Sequence, residues 1–225
     1  CSDITSPGTY TVTAHLVSQL TCININADDV ILDCQENEIA YNGAALESYG
    51  INITHADNVV IKNCRINQTL RTNSAYAISI VNSTRVTVQD TNIRTGAFIA
   101  YGINARNSEG INITSINYTG FDNSIYFSNV NNSVVELSNL TSYDRTGLWL
   151  TGGSYNLTIR NNYVYINDSS QTAILLFNAP NSTVSSNNVT VVAFSQGISI
   201  STPSNFSIIH DNNVSIYETL GSQGG

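Results

Sequence analysis

Lysine is all but absent from this 225-residue chain. Lys62 stands alone, methionine is missing, proline occurs three times and charged residues make up 11%. A surface so poor in charge does not draw its solubility from ions. A formal net charge of −8 also excludes nucleic acid, whose phosphates need a basic face. No run approaches the ~20 apolar residues of a membrane span, so no transmembrane segment is expected. No secretory leader is visible, and the lack of methionine suggests a chain that begins after a processing site, with Cys1 as a mature N-terminus. Helix formers are scarce. Apolar residues instead alternate with Thr, Ser and Asn, as in Val86-Thr-Val88 and Leu157-Thr-Ile159, a period of two that reads as strand.

These short strands recur at a fixed pace. An apolar residue closing an Asn- or Asp-based turn is found at 39, 66, 93, 116, 140, 164, 189 and 214, in steps of 27, 27, 23, 24, 24, 25 and 25. Half a repeat earlier runs a second series, Ile51, Ile78, Ile103, Ile125, Leu148, Ile174 and Ile198. A third leads into the turns: Val59/Ile61, Val86/Val88, Ile111/Ile113, Leu157/Ile159 and Phe206/Ile208. Three phase-locked markers at one period predict a solenoid. Asn and Gly at the junctions tolerate the left-handed backbone of a sharp corner. The expected fold is all-β, a single-stranded right-handed parallel β-helix of about eight coils of roughly 25 residues, a rod of roughly 40 Å at the strand spacing. Residues 1–40 are expected to form a capping strand and first coil, 41–220 the remaining coils, and 221–225 a Gly-rich tail.

Several segments carry a resemblance: Gly8-Thr-Tyr-Thr-Val-Thr, Thr21-Cys-Ile-Asn-Ile, Val30-Ile-Leu-Asp-Cys34, Gly50-Ile-Asn-Ile and Val59-Val-Ile-Lys-Asn-Cys64. With them the whole chain resembles the right-handed parallel β-helix repeat proteins, pectate-lyase-like in fold, whose secreted and cell-surface members are common in archaea and some bacteria. The resemblance implies fold far more than function, because this coil carries lyases, hydrolases, epimerases, adhesins and inert surface proteins.

All four cysteines, 1, 22, 34 and 64, lie in the first coils, and an even count in a secreted-looking chain reads as two disulfides. Cys34 and Cys64 follow equivalent Leu-Asp and Lys-Asn positions one coil apart, which leaves Cys1 for Cys22. A metal site and a lipid-modified Cys1 are the alternatives. The histidines His15, His55 and His210 are scattered, so no metal or other cofactor is expected.

Asn-x-Ser/Thr occurs thirteen times, at Asn52, Asn67, Asn82, Asn112, Asn117, Asn131, Asn139, Asn156, Asn167, Asn181, Asn188, Asn205 and Asn213. The 31 asparagines and 50 serines or threonines predict roughly 7 by chance. Several are expected to carry N-glycans, while Asn139, Asn188 and Asn213 adjoin the recurrent turn and compete for an inward amide ladder.

The acids Asp28, Asp29, Asp33, Asp57, Asp90, Asp122, Asp144, Asp168 and Asp211 fall almost entirely in turns, where Asp serves the backbone. Asp90 with Arg94 and Asp144-Arg145 read as exposed pairs, and His210-Asp211 as part of a corner. The motifs Asn-Thr-Asp, Gly-His-Gly and Asp-Pro-His are absent. Tyr41, Tyr49, Tyr76 and Tyr101 recur beside one corner and suggest a partial stack; with Trp149 they offer either core filling or platforms for sugars. No cap is visible between Thr219-Leu220 and the closing Gly-Ser-Gln-Gly-Gly. The resulting expectation is a non-enzymatic, N-glycosylated, secreted or cell-surface structural protein that partners itself as a homo-oligomer in a layer, sheath or filament. The alternative is a carbohydrate-active or carbohydrate-binding β-helix, lyase- or hydrolase-like.

Overall fold

The computed structural model describes residues 1–41, 48–69, 75–96, 100–167, 170–192 and 195–217. Among them every regular element is a strand, and the strands pair in parallel, each with its equivalent about 25 residues on, into a solenoid of about eight turns. Each turn lays down three faces. The first runs through Ile23–Ile25, Ser48–Thr54 and Ala75–Val81 to Gln196–Ser201. The second runs through Gly8–Thr11, Val30–Asp33 and Asp57–Lys62 to Ile208–His210. The third runs through Leu16–Ser18, Glu38–Tyr41 and Arg65–Gln68 to Asn213–Tyr217.

Strand alternation sends every second side chain inward, where it meets the same position of the turns above and below. Ile51, Ile78, Ile103, Ile125, Leu148, Ile174 and Ile198 accordingly stack in direct register, all but Ile198 fully buried. The corners use left-handed backbone: among the described residues 21 non-glycine positions have positive φ, and 13 of these are Asn or Asp. Those two residue types reach that region at the least steric cost.

Three expectations about phase are corrected. Ile93 pairs with Tyr118, while Ile116 pairs with Thr91 at the corner. Tyr118 fills the inward slot because Gly102 and Gly120 leave room for its ring and because its hydroxyl bonds Thr95 Oγ1 (2.8 Å) and donates to the Asp122 carbonyl (3.2 Å). Ile208 pairs with Thr183 on the outside and is 57% exposed, with Phe206 84% exposed; Ile209 takes the inward column, above Val184. Finally, the inward amide ladder is Asn162–Asn187–Asn212, one residue before the sequon asparagines. Asn162 Nδ2 donates to Asn187 Oδ1 (3.0 Å), and Asn187 Nδ2 to Asn212 Oδ1 (2.9 Å). Asn139, Asn188 and Asn213 are exposed, because the left-handed residue at 137, 186 or 211 turns its successor inward and the next one out.

Cys1–Cys22 and Cys34–Cys64 are disulfides, with Cα atoms 4.4 and 4.8 Å apart, and they cross-link successive turns at the N-terminal end. Asp168, Thr219-Leu220 and the tail 221–225 lie outside the described residues, as does part of the Asn167 sequon.

Candidate functional site

The residue before each inward apolar residue of the third face points out. Stacking the turns therefore makes two outward columns that run along the rod. One is Glu38, Arg65, Asn92, Asn117, Asn139, Tyr163, Asn188 and Asn213; its neighbour is Ala40, Asn67, Arg94, Thr119, Thr141, Tyr165, Thr190 and Ser215. At the N-terminal end of these columns, with Glu36 from the adjoining corner, lies an open groove of about 440 Å³. Glu36, Glu38, Arg65, Asn67, Arg94 and Asn117 give it two carboxylates, two guanidinium groups and amides.

The groove is internally bonded in part. Asn67 Nδ2 donates to Glu38 Oε1 (3.1 Å), and Asn117 Nδ2 to Asn92 Oδ1 (3.2 Å). The guanidinium groups of Arg65 and Arg94 hold no hydrogen bond or ion pair among the described residues. Three other cations of the described residues are paired with acids, while Arg145 on an exposed corner is not. Lys62 pairs with Asp33 (3.4 Å), Arg160 with Glu136 (2.6 Å), and Arg85 with Asp57.

The aspartates picked out from the sequence do not converge. Bonds from Asn63 and from the Gln35 backbone lower the pKa of Asp33, and the Thr84 hydroxyl with Arg85 does the same for Asp57, as befits corner carboxylates kept ionised. Asp28 and Asp29 accept from Asp57 N and Asn58 Nδ2, Asp122 is buried against Asn123, and His210 Nδ1 lies 2.7 Å from Asp211. Neither Asp90–Arg94 nor Asp144–Arg145 is an ion pair, a correction: Asp90 accepts from Gln89 instead. Among the described residues no three His, Cys, Asp or Glu are grouped to hold a metal ion. Sequence reasoning missed Glu36, Glu38 and Arg65. The 27-residue steps from Ile39 to Ile66 to Ile93 carry a signal for two of them, since the preceding residues Glu38, Arg65 and Asn92 keep the same steps.

The aromatic stack exists on the first face, its rings turned to one another. Tyr49, Tyr76, Tyr101 and Tyr126 lie ring on ring at 5.5, 5.3 and 4.8 Å, and Trp149 meets Tyr126 edge-on at 5.2 Å. Their faces are used on one another and zip successive turns together. Burial lifts the pKa of Tyr101 to about 12. Tyr41 belongs to the core rather than the stack; it is fully buried, its hydroxyl has no hydrogen-bond partner among the described residues, and its pKa is raised by desolvation.

Of the sequon asparagines, Asn82, Asn117, Asn139, Asn156, Asn167, Asn181, Asn188, Asn205 and Asn213 are exposed, and Asn52, Asn67, Asn112 and Asn131 are half-buried. Asn67 and Asn117 line the groove.

No curated protein matches this chain. Among solved structures it is similar to DFA-IIIase from Arthrobacter chlorophenolicus A6 in complex with GF2, with a TM-score of 0.64 and 13% identity over 94% of this chain and 62% of that one. A second structure of DFA-IIIase from that organism gives 0.51 and 14% over 88% and 60%. The mannuronan C-5 epimerase AlgE6 A-module of Azotobacter vinelandii gives 0.46 and 12% over 97% and 87%. The chain thus spans about three-fifths of the DFA-IIIase chains. At such identities the likeness is one of fold. The expectation of a non-enzymatic self-assembling structural protein is corrected to this extent: the two DFA-IIIase structures that share the fold are of an enzyme, which lies nearer the carbohydrate alternative than the structural reading. The model of the right handed beta helix region matches residues 21–165 and 101–219, most of the length, and the chain belongs to that family.

Proposed function

We propose that this protein is a secreted, carbohydrate-active β-helix whose third-face groove takes an acidic saccharide. The observation that carries this reading is the pair Arg65 and Arg94, one turn apart on neighbouring columns, with guanidinium groups that no acid among the described residues engages. Arginine offers a planar fork of donors matched to a carboxylate or sulfate. Around the two, the amides of Asn67, Asn92 and Asn117 and the Thr119 hydroxyl supply donors and acceptors for sugar hydroxyls. Glu36 and Glu38 are the carboxylates available for proton transfer, Glu38 held in place by Asn67. The two disulfides fit an oxidising, extracellular setting.

Calorimetric titration with uronate and with neutral oligosaccharides tests the reading. Binding is expected for the acidic series, and Arg94→Ala is expected to weaken it tenfold or more, since a hydrogen bond to a charged group contributes about 1.5–3 kcal/mol. New reducing ends appearing during incubation identify turnover. Equal affinity for neutral and acidic oligomers, or an Arg94→Ala variant that binds like wild type, overturns the proposal.

A further inference from the structure

Beyond the groove, both outward columns of the third face continue in short polar residues, Asn139 with Thr141, then Asn188 with Thr190 and Asn213 with Ser215. One turn breaks the pattern in both columns at once, with Tyr163 and Tyr165. Core packing does not account for them, because they point away from the inward Val164 and Ile166, and Tyr163 is 38% exposed. Tyr143, 40% exposed, stands at the edge of the same face and meets Tyr165 edge-on at 6.5 Å and a tilt of 71°. Phe121 lies tilted against the other side of this run, 5.7 Å from Tyr143, so the rings of this edge meet tilted or edge-on and not face to face as Tyr49 to Tyr126 do, and Tyr163 makes no ring contact among the described residues.

We infer that Tyr163 and Tyr165, flanked by Tyr143, form a distal sugar-stacking subsite for the same saccharide chain that Arg65 and Arg94 anchor. This rests on the third-face groove being the saccharide site. The register fixes the geometry: Arg65, Asn92, Asn117, Asn139 and Tyr163 are successive members of one column, four turns that span roughly 19 Å at the strand spacing. Between the two ends the members of both columns are short, Asn117 and Thr119 followed by Asn139 and Thr141. Tyrosine ring faces carry an apolar, electron-rich surface that accepts the C–H face of a pyranose, while the amides between them bond its hydroxyls. The occupant is therefore an oligosaccharide of several units lying along the rod axis, and affinity must grow with its length.

The test is a length series of acidic oligosaccharides titrated into wild type, the double variant Tyr163→Ala/Tyr165→Ala, and Tyr163→Phe/Tyr165→Phe, with thermal melts to confirm folding. The double alanine variant is expected to bind long oligomers about tenfold more weakly and short ones like wild type, while the phenylalanine variant binds both normally. Arg94→Ala weakens both lengths. Wild-type affinity that does not rise with length, or a double alanine variant that binds long oligomers normally, overturns the subsite and leaves the groove reading standing. Failure of wild type to bind acidic oligosaccharides of any length overturns both.

Discussion

Asparagine does two opposed jobs in neighbouring positions of this molecule. Asn187 is buried: its Nδ2 donates to Asn212 Oδ1 and to the Ile159 carbonyl, and its Oδ1 accepts from both the backbone N–H and the side chain of Asn162. Asn188 is exposed and exchanges one amide contact with Asn213. Replacing Asn187 by Ala leaves two donors of Asn162 short of an acceptor in the interior, a cost of about 2–4 kcal/mol, whereas Asn188→Ala stays within about 0.5 kcal/mol. Chemical denaturation of the two variants measures the difference, and equal midpoints would refute the ladder. The ladder's existence was foreseeable from the Asn doublets 161–162, 187–188 and 212–213. Which member turns inward was not, because one left-handed residue at the corner shifts the phase by one, and its exact position is a backbone property.

The first and third faces show how two elements of one coil divide their labour. On the first face, stacked rings lock turn to turn; on the third, short polar residues leave an open surface interrupted by Arg65, Arg94, Tyr163 and Tyr165. Close approach between the two faces decides where glycine is required. A Cβ built on Gly102 would stand 2.5 Å from the Ser124 carbonyl oxygen and 2.6 Å from the Tyr118 ring, backbone on one side and a fully buried side chain on the other. Gly102→Ala is therefore expected to lower stability by about 1–3 kcal/mol or more through overpacking. A thermal melt of this variant indistinguishable from wild type would show that the ring relaxes at no cost. The double variant Gly102→Ala/Tyr118→Leu recovers part of the loss if the clash with Tyr118 is its source. The core tyrosine itself was hidden in the sequence because Ile116, two residues earlier, offers a more ordinary aliphatic match to Ile93.

At the scale of the whole rod, the thirteen sequons meet a surface already committed in places. Asn67 and Asn117 line the groove, and Asn67 Nδ2 is engaged by Glu38. Asn112 and Asn131 have buried side-chain oxygens. The proposal for N-glycans is thus site-selective: when the chain is expressed through a glycosylating secretory route, glycopeptide mass spectrometry is expected to find occupancy at exposed corners such as Asn82, Asn156, Asn181 and Asn205, and to find Asn67, Asn112 and Asn131 bare. High occupancy at Asn67 would place a glycan in the groove and count against the saccharide site.

The amino-acid sequence by itself determined the solenoid, the inward stack from Ile51 to Ile198, the Asn- and Asp-rich corners and both cysteine pairings. All but the Cys1–Cys22 pairing, which follows as the remainder once Cys34 meets Cys64, rest on a periodic environment: an inward side chain meets its own equivalent one turn away, so the requirement repeats along the chain and leaves a readable period. Only the tertiary structure decided which outward residues share a surface. Measured by the observed register Ile39, Ile66, Ile93, Tyr118, Leu140, Val164, Val189 and Val214, the turns vary between 22 and 27 residues. A one- or two-residue change in any corner slides every later outward column. Glu38, Arg65 and Arg94 become one groove, and Tyr163 with Tyr165 its continuation, because the stacked backbone brings residues 25 or more apart into lateral contact, a juxtaposition that no local pattern encodes.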